Sequence, residues 1–168
     1  MKIFLIGFMG SGKTTLGRKL ATRMGYEFID LDHKLEQRAE LSIAEYFSIF
    51  GEDAFRELES EVLKKTLYPD DAIVSTGGGL PCYFDNMDWM NNHGITIYLR
   101  TPAPELAARL MKEKEHRPLV NQHDGETLEQ YVDNKLKERE KFYTAARIQV
   151  ETHYIANQSF DQIIRNHA

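Results

Sequence analysis

The feature that most constrains the fold is a glycine-rich phosphate loop at residues 7–14, which reads G-F-M-G-S-G-K-T. Its three glycines allow backbone conformations that other residues avoid, so successive N–H groups can turn inward around an anion. Lys13 adds a mobile positive charge for the β- and γ-phosphates, and the Thr14 hydroxyl is suited to Mg²⁺. The pattern predicts a nucleoside triphosphate site, with a strand before the loop and a helix after it.

Both flanks of the loop meet that requirement. Residues 2–6 (KIFLI) form a short apolar run that is typical of a buried parallel strand. After the loop, Leu16, Leu20 and Met24 lie four residues apart, on one face of a predicted helix that ends at Gly25. A glycine-rich turn with a solvated lysine would not need these flanks. Phosphate loops serve kinases, GTPases, ATPases and motors, so the loop alone does not define the reaction.

Composition and charge narrow the classes of function. The chain has 168 residues, which is enough for a single domain with its own core. Its net charge of −5 argues against a nucleic-acid or membrane-surface binder, because such proteins present basic faces. Cys82 is the only cysteine, and we recognise neither a signal peptide nor a membrane span. We expect a cytoplasmic protein and, since nothing in the sequence suggests an obligate interface, a monomer.

Strand-like runs alternate with helical patterns along the rest of the chain. The further strand-like runs are residues 27–30, 72–75, 95–99 and 148–152. The further helical patterns are residues 42–66, 85–92, 104–114, 127–144 and 159–166. This alternation predicts a three-layer α/β fold, in which a five-stranded parallel sheet carries helices on both faces.

Two segments interrupt the alternation. A long helical region at about residues 33–61 separates the second and third strands, and a polar segment at about residues 112–126 precedes the helix that begins at residue 127. We interpret these segments as a substrate-binding insert and a lid on a nucleotide-binding core. Together they would complete one domain that spans residues 1–168.

Candidate site residues follow the predicted strands at their carboxyl ends, where α/β folds place their sites. Asp30 and Asp32 form a carboxylate pair suited to one role near Mg²⁺ and one at a substrate hydroxyl, although Asp32 is also a plausible helix N-cap. Ser75 ends the third strand and is suited to a water bound to Mg²⁺. The glycine run at residues 77–79 indicates either a ligand against bare backbone or a sharp turn.

Three arginines cannot be assigned from their pattern alone. Arg56 lies three residues before Glu59, so a surface salt bridge is the simplest interpretation. Arg139 lies in a charge-dense helix, where solvation is the default. Arg117 lies in the polar segment, as an exposed loop residue or as a mobile arginine that neutralises charge on a transferred phosphoryl group.

Five segments, taken in order, resemble the shikimate kinase family along nearly the whole chain. They are residues 7–14 (GFMGSGKT), 28–32 (FIDLD), 55–59 (FRELE), 77–79 (GGG) and 117–119 (RPL). The resemblance implies transfer of the γ-phosphoryl group of ATP to the 3-hydroxyl of shikimate, with Mg²⁺, in aromatic amino-acid biosynthesis. The alternatives are another small-molecule kinase, such as a gluconate kinase, and a non-catalytic nucleotide-binding switch.

The resemblance also implies roles for individual residues. The catalytic residues would be Lys13, Asp32 and Arg117. Shikimate would be bound by Asp32, Arg56, Gly78, Gly79 and Arg139. ATP would be bound by Gly10, Ser11, Gly12, Lys13, Thr14, Thr15, Arg109 and Arg117. Mg²⁺ would be bound by Thr14, Asp30 and Ser75. The chain departs from the family near adenine, since Arg109 lies one residue further than expected from Arg117.

Overall fold

A five-stranded sheet organises the protein. The computed structural model describes residues 1–113, 127–154 and 160–166. Its strands are β1 (Lys2–Ile6), β2 (Glu27–Asp30), β3 (Ala72–Ser75), β4 (Ile95–Arg100) and β5 (Ile148–Glu151). They lie in the order β2-β3-β1-β4-β5, and every pairing is parallel. Because β1 is central, the loop that follows it lies at the middle of the carboxyl edge of the sheet.

Seven α-helices are described around this sheet. They are α1 (Lys13–Met24), α2 (Leu31–Ala39), α3 (Ile43–Lys65), α4 (Asn86–His93), α5 (Ala103–Lys112), α6 (Leu128–Tyr143) and α7 (Phe160–Arg165). All but α2 correspond to the helical patterns predicted from the sequence. Within the described ranges, no helix has the length and the apolar content needed to cross a membrane.

The core forms two apolar layers, one on each face of the sheet. Phe4 and Ile6 of β1 face the layer built mainly by α2 to α6, whereas Ile3 and Leu5 face the layer of α1 and α7. All four side chains are fully buried. Successive strand residues point to opposite faces, so a strand covered on both sides reads as a continuous apolar run. The predicted three-layer α/β fold is confirmed.

The helix α3 contains a kink that the sequence pattern did not predict. It begins at Ser42, whose hydroxyl accepts from the Glu45 amide at 3.1 Å while the Glu45 carboxylate accepts from the Ser42 amide at 2.7 Å. At Gly51 the backbone leaves helical geometry, with φ 81° and ψ 177°. The positive φ favours glycine. The segment after Gly51 places Arg56 and Glu59 in buried positions.

Candidate active site

The phosphate loop lines a cleft of about 800 Å³ at the carboxyl edge of the sheet. Gly10 and Gly12 have φ of 81° and 90°, conformations that favour glycine. Lys13 is buried, and its ammonium group donates to the carbonyl oxygens of Gly7 at 2.7 Å and Phe8 at 2.8 Å. Asp32 also lines this cleft, so the residue predicted to contact the substrate hydroxyl and the residues predicted to bind ATP face the same cleft.

Three oxygen-bearing side chains meet beside the loop. The Thr14 hydroxyl donates to Asp30 Oδ2 at 3.3 Å and lies 3.4 Å from Ser75 Oγ. The register of the sheet explains this meeting, because Asp30 at the end of β2 pairs with Ser75 at the end of β3. Hydroxyl and carboxylate oxygens are ligands that Mg²⁺ prefers, so the predicted magnesium set fits that ion chemically.

The N-cap of α2 is Asp30, so the alternative that Asp32 caps this helix is wrong. Asp30 Oδ1 accepts from the backbone amides of Asp32 at 3.0 Å and His33 at 3.4 Å. Asp32 instead lies in the first turn of α2, and its carboxylate borders Gly77, where an added Cβ would lie 3.1 Å from Asp32 Oδ1. Capping by Asp30 therefore leaves the Asp32 side chain to face the cleft.

Arg56 and Glu59 form a buried ion pair, so the interpretation as a surface salt bridge is wrong. They are 5% and 4% exposed, and Arg56 Nη1 donates to Glu59 Oε1 at 2.9 Å. The guanidinium lies over the Phe55 ring, 5.2 Å from its centroid. Within the described part of the chain, the buried Nε of Arg56 has no hydrogen-bond partner. A buried cationic group with an unused donor indicates a site for an anionic ligand.

Arg139 reaches the same region from α6 and is partly buried there, so its side chain is not simply solvated. Its guanidinium lies over the Phe8 ring, 5.2 Å from the centroid, and its buried Nη1 has no hydrogen-bond partner among the described residues. The neighbouring Tyr143 is fully buried and donates its hydroxyl to the Gly78 carbonyl. The structure therefore brings together the two arginines that the sequence pattern could not assign.

The glycine run at residues 77–79 is explained by the lack of room for side chains there, and not by its backbone conformation. A Cβ on Gly79 would lie 2.5 Å from Arg56 Nη1, and one on Gly77 would lie 2.7 Å from Glu59 Oε2. A Cβ on Gly78 would lie 3.1 Å from the Met9 amide nitrogen. None of these three glycines has a positive φ. The run lets the charged side chains and the phosphate loop approach bare backbone.

Glu59 joins the candidate site beside Gly77 and Arg56, a position that its sequence pattern does not predict. Burial raises the pKa of its carboxyl to about 7. The Asp32 carboxylate raises this pKa further, while the Arg56 and Arg139 guanidinium groups oppose the rise. The i,i+3 spacing to Arg56 was the available signal, but spacing alone does not distinguish a buried pair from an exposed one.

The raised pKa of Glu59 predicts a pH-dependent loss of stability. Between pH 4.5 and about 7 the folded state binds more protons than the unfolded state, so the free energy of unfolding falls as pH rises. In a Glu59→Gln variant this contribution is absent. We expect the variant to gain roughly 1–3 kcal/mol relative to wild type between about pH 5 and about pH 7.5.

Urea unfolding at both pH values measures this difference. Glu57→Gln is the matched control, because Glu57 lies on the same helix but is exposed. The control should show the same difference from wild type at both pH values. A pH-independent difference for Glu59→Gln as well would show that Glu59 titrates in the ordinary range.

Arg109 lies against the phosphate loop. Its Nη1 donates to the Gly10 carbonyl at 3.1 Å, and its Nη2 pairs with Glu105 on the same helix. Thr15 also lines the cleft, next to the loop. Arg117 and residues 114–126 of the predicted lid lie outside the described residues.

Comparison with known proteins identifies the family. The profile of the shikimate kinase family matches residues 9–168. The chain belongs to the shikimate kinase family. A shikimate kinase of Parabacteroides distasonis is 42% identical over 158 residues, covering 94% of this chain and 91% of that protein. The resemblance inferred from five short segments is therefore confirmed.

Solved structures of shikimate kinases share the fold. The crystal structure of the Bacteroides thetaiotaomicron enzyme has a TM-score of 0.86 at 36% identity, covering 98% of this chain and 93% of that chain. The Acinetobacter baumannii enzyme, solved in complex with shikimate, has a TM-score of 0.82 at 34% identity, covering 99% and 89%. Both likenesses therefore cover nearly the whole of this chain.

Proposed function

We propose that this protein transfers the γ-phosphoryl group of ATP to the 3-hydroxyl of shikimate, giving shikimate 3-phosphate and ADP. The observation that carries the proposal is the pair of arginines beside the glycine run. Arg56 and Arg139 each hold a buried nitrogen without a hydrogen-bond partner among the described residues, beside Gly79 and Gly78, and Gly78 lines the cleft of the phosphate loop. A planar carboxylate fits two guanidinium groups through charge-assisted hydrogen bonds. Membership of the shikimate kinase family supports shikimate as that carboxylate.

On the donor side, the protein binds and orients the phosphates of ATP. The loop amides and the N-terminus of α1 favour negative charge, and Lys13 lies at the loop with its ammonium group on two loop carbonyls. When ATP is bound, this ammonium group would turn from those carbonyls to the β- and γ-phosphates. Arg109 would stay beside the loop toward the nucleotide, and Arg117 would add positive charge at the γ-phosphoryl group.

On the acceptor side, the protein aligns a hydroxyl with the γ-phosphoryl group. Arg56, Arg139 and the bare backbone of Gly78 and Gly79 would hold the shikimate carboxylate. Asp32 borders the common cleft and would accept a hydrogen bond from the reacting hydroxyl, and its proton as the new bond forms. Positioning and charge stabilisation supply most of the rate in such transfers.

Magnesium is part of the proposal. Thr14, Asp30 and Ser75 would hold the ion directly or through water, and the bound ion would supply charge neutralisation at the phosphates. Asp30 has a second task in the fold as the N-cap of α2, so Thr14 is the cleaner position to vary.

A pair of Thr14 variants tests the magnesium assignment. Thr14→Ser keeps the hydroxyl and should need a magnesium concentration close to that of wild type. Thr14→Val removes it, and we expect the half-saturating magnesium concentration to rise about tenfold or more, as for loss of one ligand-sphere interaction. Activity measured over a range of magnesium concentrations at a fixed ATP concentration gives the half-saturating concentration for each variant. Equal magnesium requirements in the two variants would remove Thr14 from the site.

Release of ADP from ATP and Mg²⁺ tests the proposed function, in parallel reactions with shikimate, with gluconate and with no acceptor. We expect turnover that depends on shikimate. Phosphorylation of gluconate alone would favour the other small-molecule kinase, and turnover independent of any acceptor would favour a nucleotide switch. Family membership and the arginine pair favour neither alternative. The expected monomeric state and cytoplasmic location stay predictions.

A further inference from the structure

Tyr83 packs against one of the two arginines but has no part in the proposed reaction. It follows a short 3-10 helix, Leu80–Cys82, that begins directly after the glycine run. The centroid of its ring lies 4.4 Å from Arg56 Cζ, compared with 5.2 Å for the Phe55 ring. Of these two rings, Tyr83 therefore makes the closer contact with the guanidinium.

The hydroxyl of Tyr83 fixes the ring in this place. It donates to Glu52 Oε1 at 3.1 Å, and the same oxygen lies 3.7 Å from Arg56 Nε. Partial burial raises the pKa of Tyr83, so the hydroxyl keeps its proton and remains a donor. Glu52 directly follows the kink at Gly51. The hydrogen bond thus connects the loop after the glycine run to the segment of α3 that carries Arg56.

The backbone next to Tyr83 is constrained as well. Phe84 has a φ of 51°, which is uncommon for an aromatic residue. Its side chain is 64% exposed, so its own packing does not explain the conformation. Unfavourable conformations persist where surrounding contacts determine them, and they cluster near functional sites. The contacts of Tyr83 with Arg56 and Glu52 are such contacts.

An aromatic ring is well suited to hold an arginine that must bind a carboxylate. The face of the ring attracts the cation without accepting hydrogen bonds from its N–H groups. On its other side, the guanidinium lies against Gly79. A Cβ added to Gly79 would lie only 2.5–2.8 Å from the guanidinium atoms. Arg56 is therefore held between Gly79 and aromatic rings, while donors in its plane remain available to a ligand.

We propose that Tyr83 is a positioning residue for the acceptor carboxylate, which it serves by holding the guanidinium plane of Arg56 against Gly79. This inference rests on the proposed phosphorylation of shikimate. It assigns Tyr83 to acceptor binding and not to ATP binding or to the transfer step. It also separates two tasks of one side chain, because the ring holds Arg56 and the hydroxyl holds the ring.

Three variants test whether Tyr83 affects the KM for shikimate without affecting kcat or the KM for ATP. Tyr83→Leu removes the ring, and we expect the KM for shikimate to rise about five- to tenfold, with kcat and the KM for ATP within about twofold of wild type. Tyr83→Phe keeps the ring and should stay within about threefold of wild type in all three parameters. Phe84→Leu is the matched control on the adjacent residue and should leave the KM for shikimate unchanged.

A second readout links Tyr83 to the carboxylate itself. Shikimate methyl ester lacks the negative charge, so wild type should prefer shikimate over the ester in kcat/KM. We expect this preference to fall about fivefold in Tyr83→Leu and to persist in Tyr83→Phe. An unchanged preference in Tyr83→Leu, or an equal rise in the KM for ATP, would overturn the role of Tyr83. Absence of shikimate turnover in wild type would overturn the proposed function and this inference together.

Discussion

Asp32→Asn is expected to lower kcat by about 10²- to 10⁴-fold while ATP binding stays within about threefold of wild type. Asparagine keeps the size of the side chain and its ability to accept a hydrogen bond, but it cannot take a proton at neutral pH. Asp32 is not the cap of α2, because Asp30 has that role. The substitution should therefore leave the cap of the helix intact and remove the proton acceptor at the substrate hydroxyl.

Single-turnover kinetics and calorimetric titration with ATP measure the two quantities. Asp133→Asn on α6 is a suitable control, because Asp133 pairs with Lys137 at the surface and its loss should change neither quantity. Wild-type-like turnover in Asp32→Asn would remove Asp32 from the mechanism. A matching loss of ATP binding would instead place its role on the donor side of the cleft.

The same variant makes a second prediction about Glu59. The Asp32 carboxylate raises the pKa of Glu59, so removing that charge should lower this pKa below its value of about 7. The upper limit of the pH range over which Glu59 affects stability would then fall.

The fold was predictable because each of its determinants is local. The run of residues 2–6 is apolar without alternation, which identifies a strand covered on both faces, and the five strands lie close to where the pattern predicted them. The kink at Gly51 was not predictable, since an isolated glycine within a helical pattern is usually tolerated. The start of α2 lies two residues before the predicted helical region at about residues 33–61, because its first turn directly follows β2 and the boundary residue Asp30 serves both elements.

The site was predictable only in part, because burial is a property of the assembled fold. Thr14, Asp30 and Ser75 follow strand ends, so topology alone brings them together. Arg56, Glu59 and Arg139 lie on helices in patterns that equally describe solvated surfaces. In the fold all three side chains pack near the glycine run, which buries Arg56 and Glu59 and partly buries Arg139. Tyr83 has no motif of its own and is identified only by its distance to Arg56.

Arg139→Lys is expected to lower kcat/KM for shikimate by about 30-fold to 10³-fold, with the KM for ATP within about threefold of wild type. Lysine keeps the positive charge but loses the planar fork that can bind both oxygens of a carboxylate. The Nη1 atom of Arg139 is buried and has no hydrogen-bond partner among the described residues, so it is available to a ligand. The loss should therefore fall on acceptor binding.

The control variant Arg38→Lys distinguishes this role from a general effect of replacing an arginine with a lysine. Arg38 pairs with Glu61 at the surface, where such pairs contribute little, so both kinetic constants should stay close to wild type. If Arg139→Lys lowered the thermal midpoint of unfolding well below that of Arg38→Lys, the arginine would have a structural role in α6. If instead shikimate methyl ester were affected as much as shikimate, Arg139 would contact another part of the acceptor. A loss confined to the carboxylate-bearing substrate is the result that two arginines would give if their remaining buried donors bind the acceptor carboxylate.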